Sequence, residues 1–579
     1  MTASPPPSSP PLAPIWSRLV FGAAVLLTSL AAIKSNVADP DLWGHVEFGR
    51  EVLRTGNLPQ RTTWSFTSNG RWVNHENLAE ISLAWVYDHA GIPGLLALKL
   101  ALTATIFGLT IWRARRHGVP WLLLGFVLLL VGRTMQFHWH FRPHVFGFAF
   151  FALLVALLDW TFENWSGEWR PWATALQGVP APRPDKVVAR LRWLWLGPPT
   201  LMLWTNTHGG YAAGTAIWCT YLVLRIAEAW CWWGTDAVPL IKRLMMMIGA
   251  AVLAVCFNPY GPQLHLWLAE DVWLPRPEIS DWHPLWTIGS EAWPFLFLLG
   301  TAALSLFGTE RRRDLTQIVI LTLVLWQSVS HVRHVLFFAV LCGFWIPAHL
   351  ASACDRFRRG IASTESSDPH PFPSTGSWFA PATALAWSAF VLVQLAPTLT
   401  SLPVDTTRYP VAAMQFLRDH KLYGRTVVAF NWSQYAIACF AADPDAHDQA
   451  RVAVDGRLRT CYSQETIDLY LDLFLGATPA DGRYRSPKSG PCEPERALTH
   501  KDPDLLLLET HNAVCREALE RAGAGWKLLY QDPLAQVWGR DSFASRTIAV
   551  PQSTSVLARE VNWPALPVAR VSAISTANR

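Results

Sequence analysis

The sequence predicts a mostly α, polytopic membrane helical bundle followed by a C-terminal α/β domain, and three observations carry that prediction. Eleven apolar stretches of near-spanning length fill residues 15–398. Of the 579 residues, 51% are hydrophobic and only 16% charged, with 32 Trp, a residue that collects where a bilayer meets water. After residue 400 the pattern changes to short β-like runs alternating with helical stretches. The formal charge of +5 is mild, and its basic residues sit in short clusters between apolar runs. They therefore report orientation in a membrane, and no basic-plus-aromatic nucleic-acid motif accompanies them.

Taken in order, the Pro/Ser-rich residues 1–14 are expected to be disordered. Spans are expected at 15–33, 79–112, 119–136, 144–161, 193–207, 210–230, 244–258, 292–309, 315–331, 334–350 and 378–398. The first has no basic leader and further spans follow it, so it reads as a retained anchor rather than a cleaved signal. The second exceeds the ~20 residues needed to cross and is expected to begin as an interfacial helix. The membrane domain is thus 15–399, with a polar loop at 34–78. An α/β domain follows at 400–545 and a tail of few periodic signals at 546–579. Within the α/β domain, strands are expected at Thr426–Phe430, Arg451–Asp455, Leu505–Glu509, Lys527–Tyr530 and Ala535–Trp538, and helices at Pro410–His420, Glu465–Leu475 and Ala513–Ala522.

Basic clusters test this count. Arg113/Arg115/Arg116, Lys186/Arg190/Arg192, Lys242/Arg243, Arg311/Arg312/Arg313 and Arg356/Arg358/Arg359 all follow even-numbered spans. They share one side, which the positive-inside rule makes the cytoplasm. The N-terminus is then cytoplasmic and the α/β domain extracytoplasmic, in the inner (plasma) membrane of a cell. Ten of the 18 His fall on the opposite, outer side: His45, His75, His138, His140, His144, His208, His265, His283, His331 and His334. Four Cys in the outer domain, Cys439, Cys461, Cys492 and Cys515, permit two disulfides without fixing their pairing.

The outer-side motifs carry the candidate chemistry. Asp39-Pro-Asp41-Leu-Trp-Gly-His45 directly follows the first span. Its bland explanation is an Asx/Pro turn with Asp41 capping a helix; its chemical one is a carboxylate that takes an acceptor's proton or binds a divalent cation. Asn74-His75-Glu76 opens the second span, and Glu76 and Glu80 share a helical face, where two acids need water, a cation or a partner. His138, His140, Arg142 and His144 form the densest basic group, suited to a phosphate held by the Arg142 fork, with snorkelling as the alternative. Asn206-Thr-His208-Gly-Gly210 and Asn258-Pro-Tyr-Gly261 are tight turns between spans. Arg333, flanked by His331 and His334, offers a second cation for phosphate. Trp43, Trp72 and Trp282, beside the acids, are candidate sugar platforms.

In combination, Asp39-Pro-Asp-Leu-Trp-Gly-His45, Gly56-Asn-Leu-Pro59, Trp72-Val-Asn-His-Glu76, Arg142-Pro-His-Val-Phe146, Leu203-Trp-Thr-Asn-Thr-His-Gly-Gly210, Asn258-Pro-Tyr-Gly261, Arg333-His334 and Val454-Asp-Gly-Arg457 resemble the bacterial multi-span proteins classed with the GT-C glycosyltransferases. The resemblance covers most of residues 15–545. It implies a GT-C-like fold and transfer of a sugar from a polyprenyl-phosphate donor, with Asp39 and Asp41 as the acidic motif. Gly44 stands where a second Trp is common in such proteins, and Asn77 where a Trp often follows the His-Glu pair. On this basis Asp39, Asp41 and Glu76 are the catalytic candidates. His45, His75, His140, Arg142, His144, His208, Arg333 and His334 are expected to bind substrate. Asp39 and Asp41 are expected to hold any divalent cation, Mg or Mn. The partners expected are the lipid bilayer, the polyprenyl-phosphate-linked sugar and a glycan, lipid or protein acceptor, with no nucleic acid. The competing expectations are a transporter or flippase of lipid-linked saccharide and a non-catalytic envelope assembly protein.

Overall fold

The computed structural model describes residues 15–34, 36–68, 70–163, 165, 190–362, 378–479, 482–523, 525–544 and 559–567. The expected N-terminal disorder, Lys186 of one basic cluster and most of the tail lie outside the described residues. The helical bundle is built from α1 (Ile15–Ala32), α2 (Leu42–Thr55), α3 (Asn77–Arg116), α4 (Trp121–Met135), α5 (His144–Thr161), α6 (Gly197–Thr205), α7 (Tyr211–Trp233), α8 (Val238–Ala254), α9 (Gln263–Val272), α10 (Trp293–Gly308), α11 (Leu315–Ser330), α12 (Val335–Ala362) and α13 (Phe379–Leu395). Every expected span has a helix at its place. Among the described residues, eight helical stretches are long and apolar enough to cross a bilayer. In that figure α7 and α8 count as one stretch, and α11, at 16 residues, falls short of spanning length.

The helix α12 is apolar all round over Val335–Ile346, and it accordingly sits at the centre, packed by α10, α4, α11, α3 and α5. Outer helices instead expose large apolar side chains such as Leu253, Leu304, Phe307 and Val393, the surface a lipid-embedded helix presents. The expected interfacial start of the second span is visible as a break in α3. Gly91 has φ 59° and ψ −152°, a conformation that glycine tolerates, and Pro93 follows it. The part before the break packs along α2 at the mouth of the bundle.

Members of four of the basic clusters gather acidic and imidazole partners at one end of the bundle. Arg116 pairs with Glu163 at 3.2 Å, Arg190 with the same carboxylate at 2.8 Å, and Arg359 with Glu310 at 2.5 Å, while Arg311 reaches His117. The polar motif loops and the α/β domain occupy the other end.

In the α/β domain, β1 (Pro403–Asp405), β2 (Arg425–Val428), β3 (Arg451–Val452), β4 (Leu505–Glu509), β5 (Lys527–Gln531), β6 (Ala535–Gly539) and β7 (Glu560–Asn562) form two sheets. The larger has the order β3-β2-β4-β6-β5, parallel through β3, β2 and β4 and antiparallel from β4 onward. Its middle strand β4 is the Leu run, buried on both faces as such a strand requires. The smaller sheet pairs β1 with β7, so residues 559–567 return to the domain root. There Trp563 packs on Trp43 and Tyr87, and the Trp43 indole donates to the Pro564 carbonyl at 2.8 Å. Among the described residues no disulfide forms: all four outer-domain Cys are free, with Cys439, Cys461 and Cys515 buried among apolar neighbours.

Candidate functional site

The question of whether Asp41 caps a helix is answered by its geometry. It occupies the cap position of α2, but its carboxylate makes no capping hydrogen bond. Asp39 closes the turn instead, its Oδ1 accepting from the Asp41 amide at 2.9 Å. The Asp41 carboxylate is left free for another task.

Both acids face Arg142, which enters from the turn before α5. Its Nε lies 2.5 Å from Asp39 Oδ1 and its Nη1 3.1 Å from Asp41 Oδ2. Asp39 is buried at 4% exposure and needs that countercharge. The Arg142 guanidinium, expected to hold a donor phosphate, is here engaged by two carboxylates. Burial and the neighbouring Asp39 push the Asp41 carboxyl above the usual range, although Arg142 opposes the shift. The two acids together hold the Arg142 pKa well above its ordinary value against the desolvation that lowers it.

A second group lies beside the first. His45, one turn on from Asp41, points Nδ1 at Glu80 Oε1 (3.2 Å) and Glu76 Oε2 (4.0 Å). The Asn74 side-chain Nδ2 donates to the other Glu80 oxygen at 2.6 Å. His208 places Nε2 3.7 Å from Glu76 Oε1, while its Nδ1 accepts from the Gly210 amide at 3.0 Å. Burial is the largest influence on His45 and lowers it, but hydrogen bonding to Glu80 and the charges of Glu76, Glu80 and Asp41 outweigh it, so its pKa rises to about 9. His208 goes the other way, well below its usual value through burial and the nearby His144, Arg333, His75 and His45. That neighbourhood locates four of the expected substrate binders around one ring. His144 stands 6.1 Å from His208, ring centre to ring centre, and His75 lies against Gly209 and Trp267.

Arg333 stacks at 4.4 Å on Trp282, whose ring Arg276 also approaches at 4.6 Å. Among the described residues no carboxylate lies within ion-pair distance of Arg333, although the charges of Asp281, Glu76 and Arg142 act on it. Trp282 is thus covered by cations. Trp43 and Trp72 are corrected as sugar platforms too: they are 1% and 2% exposed, Trp43 under Tyr409 and Tyr435 and Trp72 under Phe48 and Arg457. Their large apolar surface is consumed in seating the loop on the domain. His334 meets His331 edge to face, ring centres 5.7 Å apart.

Between bundle and domain lies an open cavity of about 1480 Å³. Asp39, His138, His140, Arg142 and His144 line its bundle side. Burial lowers the pKa of His140, against the pull of Asp39. The opposite wall comes from the carboxyl ends of the parallel strands, with Asn431 and Trp432 after β2 and Glu509 at the end of β4, where α/β sheets place their ligands.

Several contributors escaped sequence reasoning. Gln434, on α15 (Ser433–Ala441; α14 being Val411–Asp419), pushes into the gap left by Gly44, where an added Cβ would sit 2.1 Å from its Oε1. A Cβ on Gly456 would sit 2.5 Å from Asp41 Oδ1. Gly44, the departure from the common Trp, is therefore the space through which the domain reaches Asp41. Arg457 binds Asp455 through Nη2 at 2.6 Å and lies over Phe48 and Trp72 at 4.2 and 4.6 Å, which makes the Val454–Arg457 motif a joint. Tyr260 accepts from the Asn74 amide at 2.7 Å and donates to the Trp72 carbonyl at 3.2 Å, pinning the second acidic loop. The Asp-Gly-Arg and Asn-Pro-Tyr-Gly patterns were visible; what they touch was not.

The expected cation ligands Asp39 and Asp41 do not fit an ion, since the Arg142 guanidinium already lies against both. The donor set that gathers is His45, Glu76 and Glu80.

No protein-family model matches this chain, and no curated protein sequence is similar to it. Solved structures are. The oligosaccharyltransferase of Archaeoglobus fulgidus in its apo form aligns with 86% of this chain and 70% of its own at 10% identity and a TM-score of 0.51. The same enzyme tethered to an acceptor peptide aligns with 93% of this chain and 75% of its own, again at 10% identity and 0.51. ArnT from Cupriavidus metallidurans, bound to undecaprenyl phosphate, aligns over 93% of this chain and 99% of its own at 11% identity and 0.46. The chain thus shares its overall fold, of the GT-C type, with the archaeal oligosaccharyltransferase.

Proposed function

We propose that this protein is an integral-membrane glycosyltransferase that moves a sugar from a polyprenyl-phosphate donor to an acceptor on the outer face of the membrane. The observation that carries the proposal is the cleft itself. A carboxylate with no capping duty, Asp41, is held by Arg142, and Arg142 and Asp39 line a cavity rimmed by both bundle and domain, while among the described residues Arg333 has no carboxylate within ion-pair distance. The fold shared with an oligosaccharyltransferase supports it.

In this mechanism Asp41 removes the proton of an acceptor hydroxyl as that oxygen attacks the anomeric carbon. The bond from that carbon to the phosphate oxygen breaks, and its electron pair leaves on the polyprenyl phosphate. Arg333 stabilises the departing charge; its stacking on Trp282 pre-orients the guanidinium fork. Arg142 holds the two acids in register, Glu76 and the His75, His144 and His208 group flank the reacting centre, and Asn431 and Glu509 present the acceptor. The lipid tail lies along the bundle. The basic end of the bundle faces the cytoplasm.

The test is donor dependence. Purified protein in vesicles should release polyprenyl phosphate from a polyprenyl-phosphate sugar and not use a nucleotide sugar. Arg333→Ala should raise the KM for donor by about 10–100-fold, the worth of one charge-assisted phosphate contact of ~1.5–3 kcal/mol. Transfer from a nucleotide sugar alone would sink the proposal.

A further inference from the structure

The pair Glu76 and Glu80 differs from most of the buried acids, which have an Arg partner; Glu51, 6% exposed, lacks one too but accepts from Thr63 and Trp64. Asp39 has Arg142, Asp159 has Arg113, Glu228 has Arg225 and Asp455 has Arg457. Glu80 is 2% exposed and Glu76 is its neighbour across His45, yet among the described residues no Lys or Arg lies within ion-pair distance of either. Two carboxylates at the mouth of a bundle, with imidazoles and the Asn74 side-chain amide as their close partners, form a preorganised receptor for a small cation.

We propose that His45 Nδ1, Glu76 and Glu80 bind one divalent ion of the zinc type. The three donor atoms already lie within 4.8 Å of one another. Tetrahedral bonds of about 2.0–2.1 Å put ligand atoms roughly 3.3 Å apart, so His45–Glu80 at 3.2 Å is at that spacing and Glu76, at 4.0 Å, closes by a side-chain rotation. The outer contacts are those of a metal centre. Asn74 fixes the second Glu80 oxygen, turning Oε1 toward His45. His208 is excluded as a ligand by its tautomer: Nδ1 accepts from Gly210, so Nε2 carries the proton and points it at Glu76. Three protein ligands leave the fourth position open to water or a substrate oxygen. The imidazole selects zinc over magnesium, which takes oxygen ligands and dehydrates reluctantly.

This ion belongs to the transfer site proposed above, but its test reads metal rather than transfer, so either can fail alone. Chelator-treated wild-type protein in detergent should retain one equivalent of added Zn2+ through gel filtration, and about a thousandfold excess of Mg2+ should not displace it. Glu80→Gln and His45→Gln should each weaken retention at least about tenfold, and Asn74→Ala by about 10–100-fold, as loss of an orienting contact does. His89→Gln, on the exposed part of α3, should retain zinc as the wild type does. X-ray absorption of the zinc-loaded wild type keeps the test independent of variant folding, and should show nitrogen and oxygen ligands with a single imidazole. Wild-type protein that retains no zinc, Glu80→Gln and His45→Gln proteins that retain it fully, or a sulfur ligand in the absorption spectrum overturns the proposal.

Discussion

At the residue scale, Asp41 and Arg142 make opposite demands on the cleft, and each gives a measurable consequence. Asp41 titrates above the ordinary Asp value, so the carboxylate needed as base is lost sooner on acidification than for an exposed Asp. The acidic limb of the pH–rate profile should fall above the usual ~3.9, while wild-type stability has the opposite sign. The folded state binds that proton more tightly than the unfolded one, so the Asp41 contribution is full below ~3.9 and is lost as pH rises through its folded pKa. Arg142→Ala leaves Asp39 buried without a countercharge and should cost on the order of 3 kcal/mol, read as a lower thermal midpoint in detergent. Arg142→Ala together with Asp39→Asn should recover most of that loss, since the uncompensated charge is gone.

At the level of elements, the decisive joints are short loops that touch the domain. Gly44→Ala sets a Cβ against Gln434 and should reduce transfer without unfolding the bundle; adding Gln434→Ala should restore it, a coupling that a double-mutant cycle measures. The strands of the larger sheet were legible because the Leu505–Glu509 run and its neighbours carry local hydrophobic patterns, and the structure places their ends within a residue or two, except that the third ends at Val452 rather than Asp455. The spans were legible for the same reason. What was not legible is pairing at long range. Trp43 and Trp72 sit beside acids in sequence, and only the fold reveals that Tyr435 and Arg457, some four hundred residues on, bury them. The role of Arg142 was hidden likewise: its charge suits a phosphate, and nothing in its own segment announces that Asp39 and Asp41 arrive first. The helix Ser433–Ala441 and the return of residues 559–567 gave no periodic signal, since one is short and apolar after its first two residues and the other is a clamp held by Trp563 and backbone hydrogen bonds.

Across the whole molecule, charge and hydrophobicity divide the protein into a basic end, an apolar girdle and an end where acids, imidazoles and an α/β domain enclose a cavity. The domain is fastened at its root, so Trp563→Ala should loosen it. Removing a fully buried Trp costs about 3–5 kcal/mol, and limited proteolysis should then cut the 400–545 region while the bundle stays intact. In the proposed transfer the reacting groups meet between these two bodies, beside that open cavity. The central claim is that Asp41 performs the proton transfer in that enclosure. Its most direct test is sugar transfer from a synthetic polyprenyl-phosphate sugar by vesicle-reconstituted Asp41→Asn protein of confirmed fold. A fall of at least about a hundredfold against wild type is the predicted result, the usual worth of a general base. Undiminished transfer by Asp41→Asn, and by the variant that also carries Asp39→Asn, would contradict the account.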